Sequence, residues 1–362
     1  MSVLEYKCPH CGGAVNFDSA SQQMTCPYCD STFEIAALEE HNAELRSETV
    51  DDFGWGDYQN GEWSSEEIQG LSGYRCPSCA GEIVGDATTA ATHCPYCGNP
   101  AVLPKQLEGM FKPDFVIPFK VDKEAVKAGL EKHLKGKRLL PKLFKAQNRI
   151  DSIVGLYVPF WLFDCKAKGQ ARYQATRVST WSDSKYNYTK TDYYSVIREG
   201  GADFARVPAD GSKKMQDTLM ESIEPYDYSQ MIDFQSAYLS GFLADKYDVT
   251  GEECQPYVNE RVKKTTEAML RETVTGYHSC VAQHSSVQFS DGKVAYALMP
   301  AWVMSTKYKD KVYTFVMNGQ TGKFVGDLPI SWGRFWAWFF GLFGGFSAAG
   351  FLFLLLIDVL GG

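Results

Sequence analysis

The segments Cys8-Pro-His-Cys11 and Cys26-Pro-Tyr-Cys29 recur 68 residues later as Cys76-Pro-Ser-Cys79 and Cys94-Pro-Tyr-Cys97. In both sets 14 residues separate the two Cys-x-x-Cys pairs, so one module of four cysteines is written twice. Four thiolates close a tetrahedral structural zinc site and leave no open coordination position for chemistry. The spacing predicts two small β zinc ribbons, at residues 1–36 and 73–104, that each bind one structural Zn²⁺ ion.

Other uses of paired cysteines fit this pattern less well. Disulfides need an oxidising compartment, and the segment from Met1 to Lys7 has no apolar signal region. A thioredoxin-like redox pair needs a βαβ context, which four pairs at matched spacing do not suit. His10 and His93 lie beside the pairs, and with four thiolates available we expect neither to be a ligand. The predicted metal ligands are Cys8, Cys11, Cys26, Cys29, Cys76, Cys79, Cys94 and Cys97.

The other end of the chain predicts a membrane anchor. The 23 residues from Phe335 to Ile357 carry no charge, and as a helix they extend about 34 Å, enough to cross a hydrocarbon core of about 30 Å. We therefore predict a transmembrane helix over residues 333–358, against the alternatives of a buried core helix or an interfacial segment. Arg334 precedes the span and Asp358 follows it, which favours a single-pass protein of the cell membrane with cytoplasmic N-terminal domains.

A row of small residues lies inside this predicted span. Gly341, Gly345 and Ala349 recur every four residues, a spacing that permits close approach of two helices in lipid. Such rows are also common by chance in membrane helices. Self-association of the chain through this face is a hypothesis.

The segment between the ribbons is strongly acidic. From Leu38 to Gly70 it has ten acidic residues against Arg46 alone, a charge of −9 in a chain whose net charge is −8. We predict that residues 37–72 form an acidic, largely disordered linker. Its aromatic residues leave open a second interpretation, a docking peptide that orders on binding. They are Phe53, Trp55, Tyr58 and Trp63.

A basic stretch follows the second ribbon. Residues 127–149 contain eight Lys or Arg residues against Glu131 alone. Lys123 to Leu134 is predicted to be an amphipathic helix, because Val126, Leu130 and Leu134 recur every four residues. The basic side chains could form a solvated face, rest on anionic lipid headgroups or bind the acidic linker.

Residues 105–330 are predicted to form an α+β middle domain. Strand-like runs alternate with a second helix candidate, Glu252 to Val274, whose apolar side carries Val258, Val262 and Met269. Val158-Pro-Phe-Trp161 and Met299-Pro-Ala-Trp302 resemble each other, which suits a pseudo-duplicated sheet. The predicted architecture is therefore multidomain: two small β zinc ribbons, an α+β middle domain and one C-terminal transmembrane helix.

The middle domain offers little recognisable chemistry. His278, Cys280 and His284 fall on one face if they lie on a strand, so a third metal site or a Cys–His pair is conceivable, but ordinary packing is the simpler interpretation. Cys165 and Cys254 are expected to be buried thiols. The chain has no Gly-x-x-x-x-Gly-Lys-Ser/Thr loop, no His-Glu-x-x-His and no Gly-x-Ser-x-Gly. We therefore expect no enzymatic activity.

The chain resembles a known bacterial family in several motifs taken together. These are the paired ribbons, Ile117-Pro-Phe119, Val158-Pro-Phe-Trp161, Asn318-Gly-Gln-Thr-Gly322 and the apolar tail. They resemble membrane-anchored TFIIB-type zinc-ribbon proteins, often labelled primosomal-protein-N′-like. The resemblance implies an association with phage-shock-A-like and SPFH proteins in membrane-stress or remodelling assemblies. The primosomal label implies a helicase, and this chain departs from that because it has no nucleotide-binding loop.

Three functions remain open at this point. The first is a membrane-anchored adaptor or scaffold that recruits protein partners at the cytoplasmic membrane face. The second is a nucleic-acid-binding ribbon protein, but phosphate contacts need clustered Lys and Arg, and the two ribbons contain only Lys7 and Arg75. The third is a membrane-bound enzyme with an unrecognised site. The charge distribution favours the adaptor.

Overall fold

The structure, a computed structural model, describes residues 6–47, 49–58, 61, 63–86, 94–99, 103–105, 111–141, 153–215, 217–309 and 311–361. The chain forms two units, and each contains three separate stretches of sequence. Unit 1 consists of Met1–Asp57, Phe163–Val207 and Gln255–Lys293. Unit 2 consists of Tyr58–Leu162, Pro208–Cys254 and Val294–Gly362.

The described part of the chain is rich in strands, three of which are very long. The strands are β1 (Asn16–Asp18), β2 (Gln23–Thr25), β3 (Thr32–Phe33), β4 (Leu71–Arg75), β5 (Glu82–Asp86), β6 (Leu103–Lys105), β7 (Phe115–Val116), β8 (Val154–Ser182), β9 (Asn187–Asp210), β10 (Ile232–Asp233), β11 (Leu243–Asp245), β12 (Ser279–Tyr308), β13 (Lys311–Asn318) and β14 (Phe324–Gly326). The helices are α1 (Ile35–Ser47), α2 (Ser65–Gln69), α3 (Lys123–Leu134), α4 (Asp217–Ile223), α5 (Gly251–Glu272) and α6 (Trp332–Gly361).

The first ribbon, in unit 1, has a sheet and a small core of its own. Strands β1, β2 and β3 pair in that order, and both pairings are antiparallel. Val15 and Leu38 are buried together with Cys8 and Cys26, so helix α1 closes the ribbon through Leu38. The predicted β character of this ribbon is confirmed.

The second ribbon is part of a larger sheet in unit 2. Strand β4 pairs with β5 and β6, and β5 pairs in turn with β11 of the middle region. Cys76 and Cys94 belong to the same buried apolar cluster as Ile117, Leu156 and Phe160. The second ribbon therefore shares the hydrophobic core of the middle region.

The centre of this sheet contains two copies of one arrangement. The segments β7–α3–β8 and β11–α5–β12 each place a short strand and a helix before a long strand. The short strands are exchanged between the copies: β7 pairs in parallel with β12, and β11 pairs in parallel with β8. The sheet order β7-β12-β8-β11 is symmetric about its middle.

Hydrogen bonds at the Pro-x-Trp segments follow the same reciprocal pattern. Trp161 Nε1 donates to the Val249 carbonyl at 2.9 Å, and Trp302 Nε1 donates to the Val121 carbonyl at 2.8 Å. The matching glycine turns repeat this. The Gly211 carbonyl accepts from the N–H groups of residues 248 and 249, and the Gly319 carbonyl accepts from those of residues 120 and 121. The predicted pseudo-duplication of the sheet is confirmed.

The two predicted helices of the middle region form, with one difference. Helix α3 has the predicted bounds, the Asp122 side chain accepts a hydrogen bond from the Ala125 N–H at its N-terminus, and all three of its predicted core residues are buried. In α5, Val258 and Val262 are buried as predicted, but Met269 is 47% exposed and Leu270 is buried instead. Helical phase does not explain the exposure of Met269, because eleven steps of about 100° bring it to within about 20° of Val258. At this end of the helix the buried cluster around Tyr173 contains Leu270.

The acidic segment predicted as a largely disordered linker makes defined contacts where it is described. In unit 1, Asp51 pairs with Lys263 and accepts a hydrogen bond from the Val287 N–H. The Trp55 indole lies against two phenylalanine rings and donates to Asn259 Oδ1 at 2.8 Å. In unit 2, the Tyr58 hydroxyl donates to Asp114 at 3.0 Å. The aromatic residues that set this segment apart in the sequence thus have packing partners.

Helix α6 is the one candidate membrane span among the described residues. Its apolar window, Trp332–Phe353, is long and apolar enough to cross a membrane, and none of it is buried against protein. A Cβ added at Gly341 or Gly345 would meet nothing within 4 Å, so the row of small residues is uncovered in the single chain.

Gly319 gives a test of the central packing. A Cβ at this position would lie 2.7 Å from the Phe119 ring and 2.8 Å from Pro300. We expect Gly319→Ala to lower the free energy of unfolding by about 1–3 kcal/mol through overpacking. Gly54→Ala, whose added Cβ would have only an ordinary contact at 3.9 Å, is the control and should change it by less than about 0.5 kcal/mol. Equal denaturation midpoints for the two variants would contradict this packing.

Candidate metal centres

The eight predicted cysteines come together in two groups of four. Within each group all four sulfur atoms lie within 4.8 Å of one another. The shortest Sγ–Sγ distances are 3.6 Å for Cys8–Cys29, 3.5 Å for Cys11–Cys26, 3.7 Å for Cys76–Cys97 and 3.5 Å for Cys79–Cys94. All eight cysteines are free thiols.

These distances fit a tetrahedral metal site. A metal–sulfur bond of about 2.3 Å places the corners of a regular tetrahedron about 3.8 Å apart. A disulfide would bring two sulfurs to about 2.05 Å. Each group could therefore hold one metal ion, and its purely thiolate donor set is the one that structural zinc takes.

The four Cys-x-x-Cys turns share one backbone geometry. In each, the carbonyl of the first cysteine accepts a hydrogen bond from the N–H four residues later, and its own N–H donates to the carbonyl five residues later. The residue that follows the second cysteine, four residues after the first, has a positive φ in every turn. It is Gly12, Asp30, Ala80 or Gly98, with φ of 73°, 56°, 57° and 71°. Two of the four turns therefore reach the left-handed conformation without glycine.

The thiols within the two groups differ in their pKa values. Burial raises the pKa of Cys8 to about 12 and that of Cys94 well above its usual range. The hydrogen bond between Cys29 and the Ser31 hydroxyl lowers the pKa of the exposed Cys29 to about 6. Four thiolates this close repel one another, so a metal ion that binds them must displace protons from the buried thiols.

The same tyrosine has opposite surroundings in the two ribbons. Tyr28 and Tyr96 occupy equivalent places in Cys-Pro-Tyr-Cys, and each ring covers the glycine that follows the first pair, Gly13 or Gly81. Tyr28 is 74% exposed, whereas Tyr96 is 8% exposed and belongs to the core cluster of unit 2. Ser305 Oγ lies 2.8 Å from the Pro95 carbonyl and 3.0 Å from that of Tyr96, fixing this turn to β12.

A buried carboxyl group lies beside the second ribbon. Asp245, at the end of β11, is 2% exposed and accepts a hydrogen bond from the Ser212 hydroxyl. Burial raises its pKa to about 7, against smaller lowering effects from Ser212 and Tyr96. Nothing in the local sequence Leu243-Ala-Asp245 indicates this environment, which arises where β11 pairs with β5 and with β8.

The histidines singled out in the sequence have other partners. His10 Nδ1 lies 2.7 Å from Ser31 Oγ, and the His10 ring packs on Tyr193. Val178 N–H donates to His278 Nδ1 at 3.1 Å, and His284 Nε2 donates to the Thr49 carbonyl at 2.9 Å. In the described ranges, the groups that could hold a metal consist of cysteines alone. His93 lies outside the described residues.

The remaining cysteines are packed as expected. Cys165 and Cys254 are buried, which confirms their prediction as buried thiols. Cys280 is partly buried and packs against the apolar cluster around Tyr173.

Two four-cysteine ribbons on a chain that also carries an apolar helix of membrane length define a metal-binding ribbon protein with a candidate membrane span. The chain is 35% identical over 360 residues to the uncharacterised protein YdjG of Bacillus subtilis (strain 168), with 99% of each chain covered. It belongs to the same family as YdjG. No family model matches the chain, and no solved structure matches it.

The two ribbons should respond differently to loss of their ligands. We expect Cys26→Ser/Cys29→Ser and Cys76→Ser/Cys79→Ser each to lower the zinc content from two ions per chain to one, measured by mass spectrometry of the metal. The first variant should unfold only the first ribbon. The second should destabilise unit 2 globally, because its site lies in the core of that unit. Two zinc ions retained in either variant would refute the four-thiolate sites.

Asp245 gives a pH-dependent test. Its pKa lies above the unfolded value, so the protonated carboxyl favours the folded state, and this contribution is lost as the pH rises from about 4 to about 7. We therefore expect the free energy of unfolding of Asp245→Asn, relative to that of the native chain, to rise by up to about 1.4 kcal/mol for each pH unit in that window. Above about pH 7 the difference should stay constant. Denaturant unfolding from pH 5.5 to 8 measures the difference. Parallel pH dependences of Asp245→Asn and the native chain would contradict the buried carboxyl.

Proposed function

We propose that this protein is a membrane-anchored adaptor whose first zinc ribbon recruits protein partners at the cytoplasmic face of the membrane. The observation that carries the proposal is the contrast between Tyr28 and Tyr96. The second ribbon docks its Cys-Pro-Tyr-Cys turn on the chain's own sheet, while the first ribbon leaves the same turn open. An exposed copy of a turn that already packs on protein is suited to pack on another protein.

The surface of the first ribbon supports this function. Phe17, Tyr28 and Ile35 are all exposed, on a ribbon whose own core is small. Tyrosine is enriched at the centres of protein interfaces, because it combines a large apolar ring with a hydrogen-bonding hydroxyl. The only basic residue of this ribbon is Lys7, against Glu5, Asp18, Asp30 and Glu34, so its charge disfavours a nucleic-acid phosphate backbone.

The anchor and its orientation belong to the same proposal. Helix α6 would cross the membrane once, with Trp332, Trp336 and Trp338 at its cytoplasmic interface. Cysteines without disulfides, grouped as zinc ligands would be, suit the reducing cytoplasm. The resemblance described above makes phage-shock-A-like and SPFH proteins the first partners to test. The proposal assigns a binding function to this chain and no catalytic one.

Affinity purification of the tagged full-length chain from gently solubilised membranes tests the proposal. We expect membrane-associated proteins to co-purify with the native chain and to fall at least tenfold with Tyr28→Ala, as is usual for a central interface tyrosine. The matched control is Tyr186→Ala, which removes another exposed tyrosine of the same unit. Zinc content should stay at two ions in both variants.

Two outcomes would overturn the proposal. If Tyr28→Ala recovers the same proteins as the native chain, the first ribbon is not the docking surface. If nucleic acid or replication proteins are recovered instead, the alternative of a nucleic-acid-binding ribbon protein takes its place. Deletion of residues 332–362 separately tests the anchor, since the shortened chain should move from the membrane to the soluble fraction.

A further inference from the structure

The segment that follows α3, residues 138–140, contacts the start of α6 within unit 2. Arg334 Nη1 donates to the Leu140 carbonyl at 2.6 Å, and the Ser331 N–H donates to the Leu139 carbonyl at 2.9 Å. The Arg138 guanidinium lies over the Trp338 ring, 4.9 Å from its centre. The segment that follows α3 is therefore fixed to the first two turns of the candidate membrane span.

A groove of about 690 Å³ is lined by residues that directly precede Arg138 in the sequence, together with residues of the neighbouring strands. Its basic side is formed by Lys132, Lys135 and Lys137, and none of its lining residues is acidic. Its apolar side includes Met317 and Phe324. We call this the basic groove. The three lysines are exposed, and none forms an ion pair with another residue in the described ranges.

The position of the basic groove, next to the candidate membrane span, indicates which ligand it would bind. Lys137 is adjacent in sequence to Arg138, so its Cα lies about 3.8 Å from that of a residue stacked on an interfacial tryptophan. Tryptophans at the end of a membrane span mark the depth of the lipid headgroups. Lysine ammonium groups bind phosphate as point charges, and basic residues at this depth attract anionic lipid. A free phosphate would leave the apolar side of the groove unused, whereas the glycerol and first methylenes of a phospholipid would cover it.

We propose that the basic groove binds the headgroup of an anionic phospholipid of the leaflet that α6 enters. The phosphate lies among Lys132, Lys135 and Lys137, and the glycerol backbone lies toward Met317 and Phe324. This binding would couple the lipid composition of the membrane to unit 2. It rests on α6 as a membrane span and is independent of partner recruitment by the first ribbon.

Titration of the full-length chain in nanodiscs of phosphatidylcholine with short-chain phosphatidylglycerol tests the proposal. We expect saturable binding of phosphatidylglycerol, weaker binding of short-chain phosphatidylcholine, and negligible binding of glycerol phosphate. Replacing all three lysines by glutamine should weaken the binding of phosphatidylglycerol at least tenfold. The control with the same change in net charge replaces three exposed lysines that do not line the groove, Lys168, Lys185 and Lys293, and should bind as the native chain does.

The lysines also lie at or just after the C-terminal end of α3, where positive charge stabilises a helix. Their loss could therefore lower the stability of α3 as well as the binding of lipid, and a second variant separates the two effects. Replacing the three by arginine keeps the charge and should retain the binding. Equal loss in the glutamine variant and in the charge control would show general attraction to anionic lipid and overturn the groove. Binding of glycerol phosphate as tight as that of the lipid would overturn the lipid assignment. Failure of the chain to insert into nanodiscs would refute the span itself, a result distinct from loss of lipid selectivity.

Discussion

Four thiolates can share one cation only if their sulfur atoms meet at the corners of a tetrahedron with edges of about 3.8 Å. In unit 2 this requirement is met inside the hydrophobic core, since Cys76 and Cys94 are buried among Ile117, Leu156 and Phe160. A metal ion bound there would add its binding free energy to that of the shared core. The strands that pair with this ribbon would then lose stability if the ion were removed.

Duplication followed by divergence explains much of the architecture. The ribbon occurs twice, and the short strand, helix and long strand of the middle region also occur twice. In the middle region the copies exchange strands, and each tryptophan hydrogen-bonds to a carbonyl of the other copy. The two ribbons differ in their surroundings, since the second packs into a core while the first keeps its tyrosine exposed. The same turn is thus covered by the chain's own core in one copy and exposed in the other.

The sequence predicted the features that depend on local patterns. The spacing of the cysteines predicted the two groups of four that the structure brings together, and the four-residue spacing of Val126, Leu130 and Leu134 placed helix α3 at its observed bounds. The apolar tail similarly placed α6. Each of these signals is carried by residues close together in the chain, where the period of a helix or the geometry of a metal ligand fixes the outcome.

What the sequence did not predict depends on contacts between distant residues. Strand β5 joins the ribbon to β11 across about 160 residues of sequence, and no local pattern indicates this pairing. The burial of Asp245 follows from it. Similarly, the acidic segment has the composition of a disordered linker, yet Trp55 and Tyr58 find aromatic partners supplied by strands far along the chain. Composition reflects the average tendency of a segment to fold, whereas the packing of one half-buried indole depends on the residues around it.

These dependences assign different constraints to the two ribbons. The second ribbon belongs to the unit that is tied through Arg138, Leu140 and Arg334 to the candidate membrane helix, so a change in its surface also changes the core of that unit. The first ribbon keeps its own sheet and its own core around Val15 and Leu38, so its outer face can vary without that cost. Recognition of a partner requires a surface that is free to become complementary to it. The first ribbon contacts the rest of unit 1 through His10, which packs on Tyr193, but its Tyr28 turn is exposed. This is why we propose that turn, rather than its buried copy, as the surface for recognition.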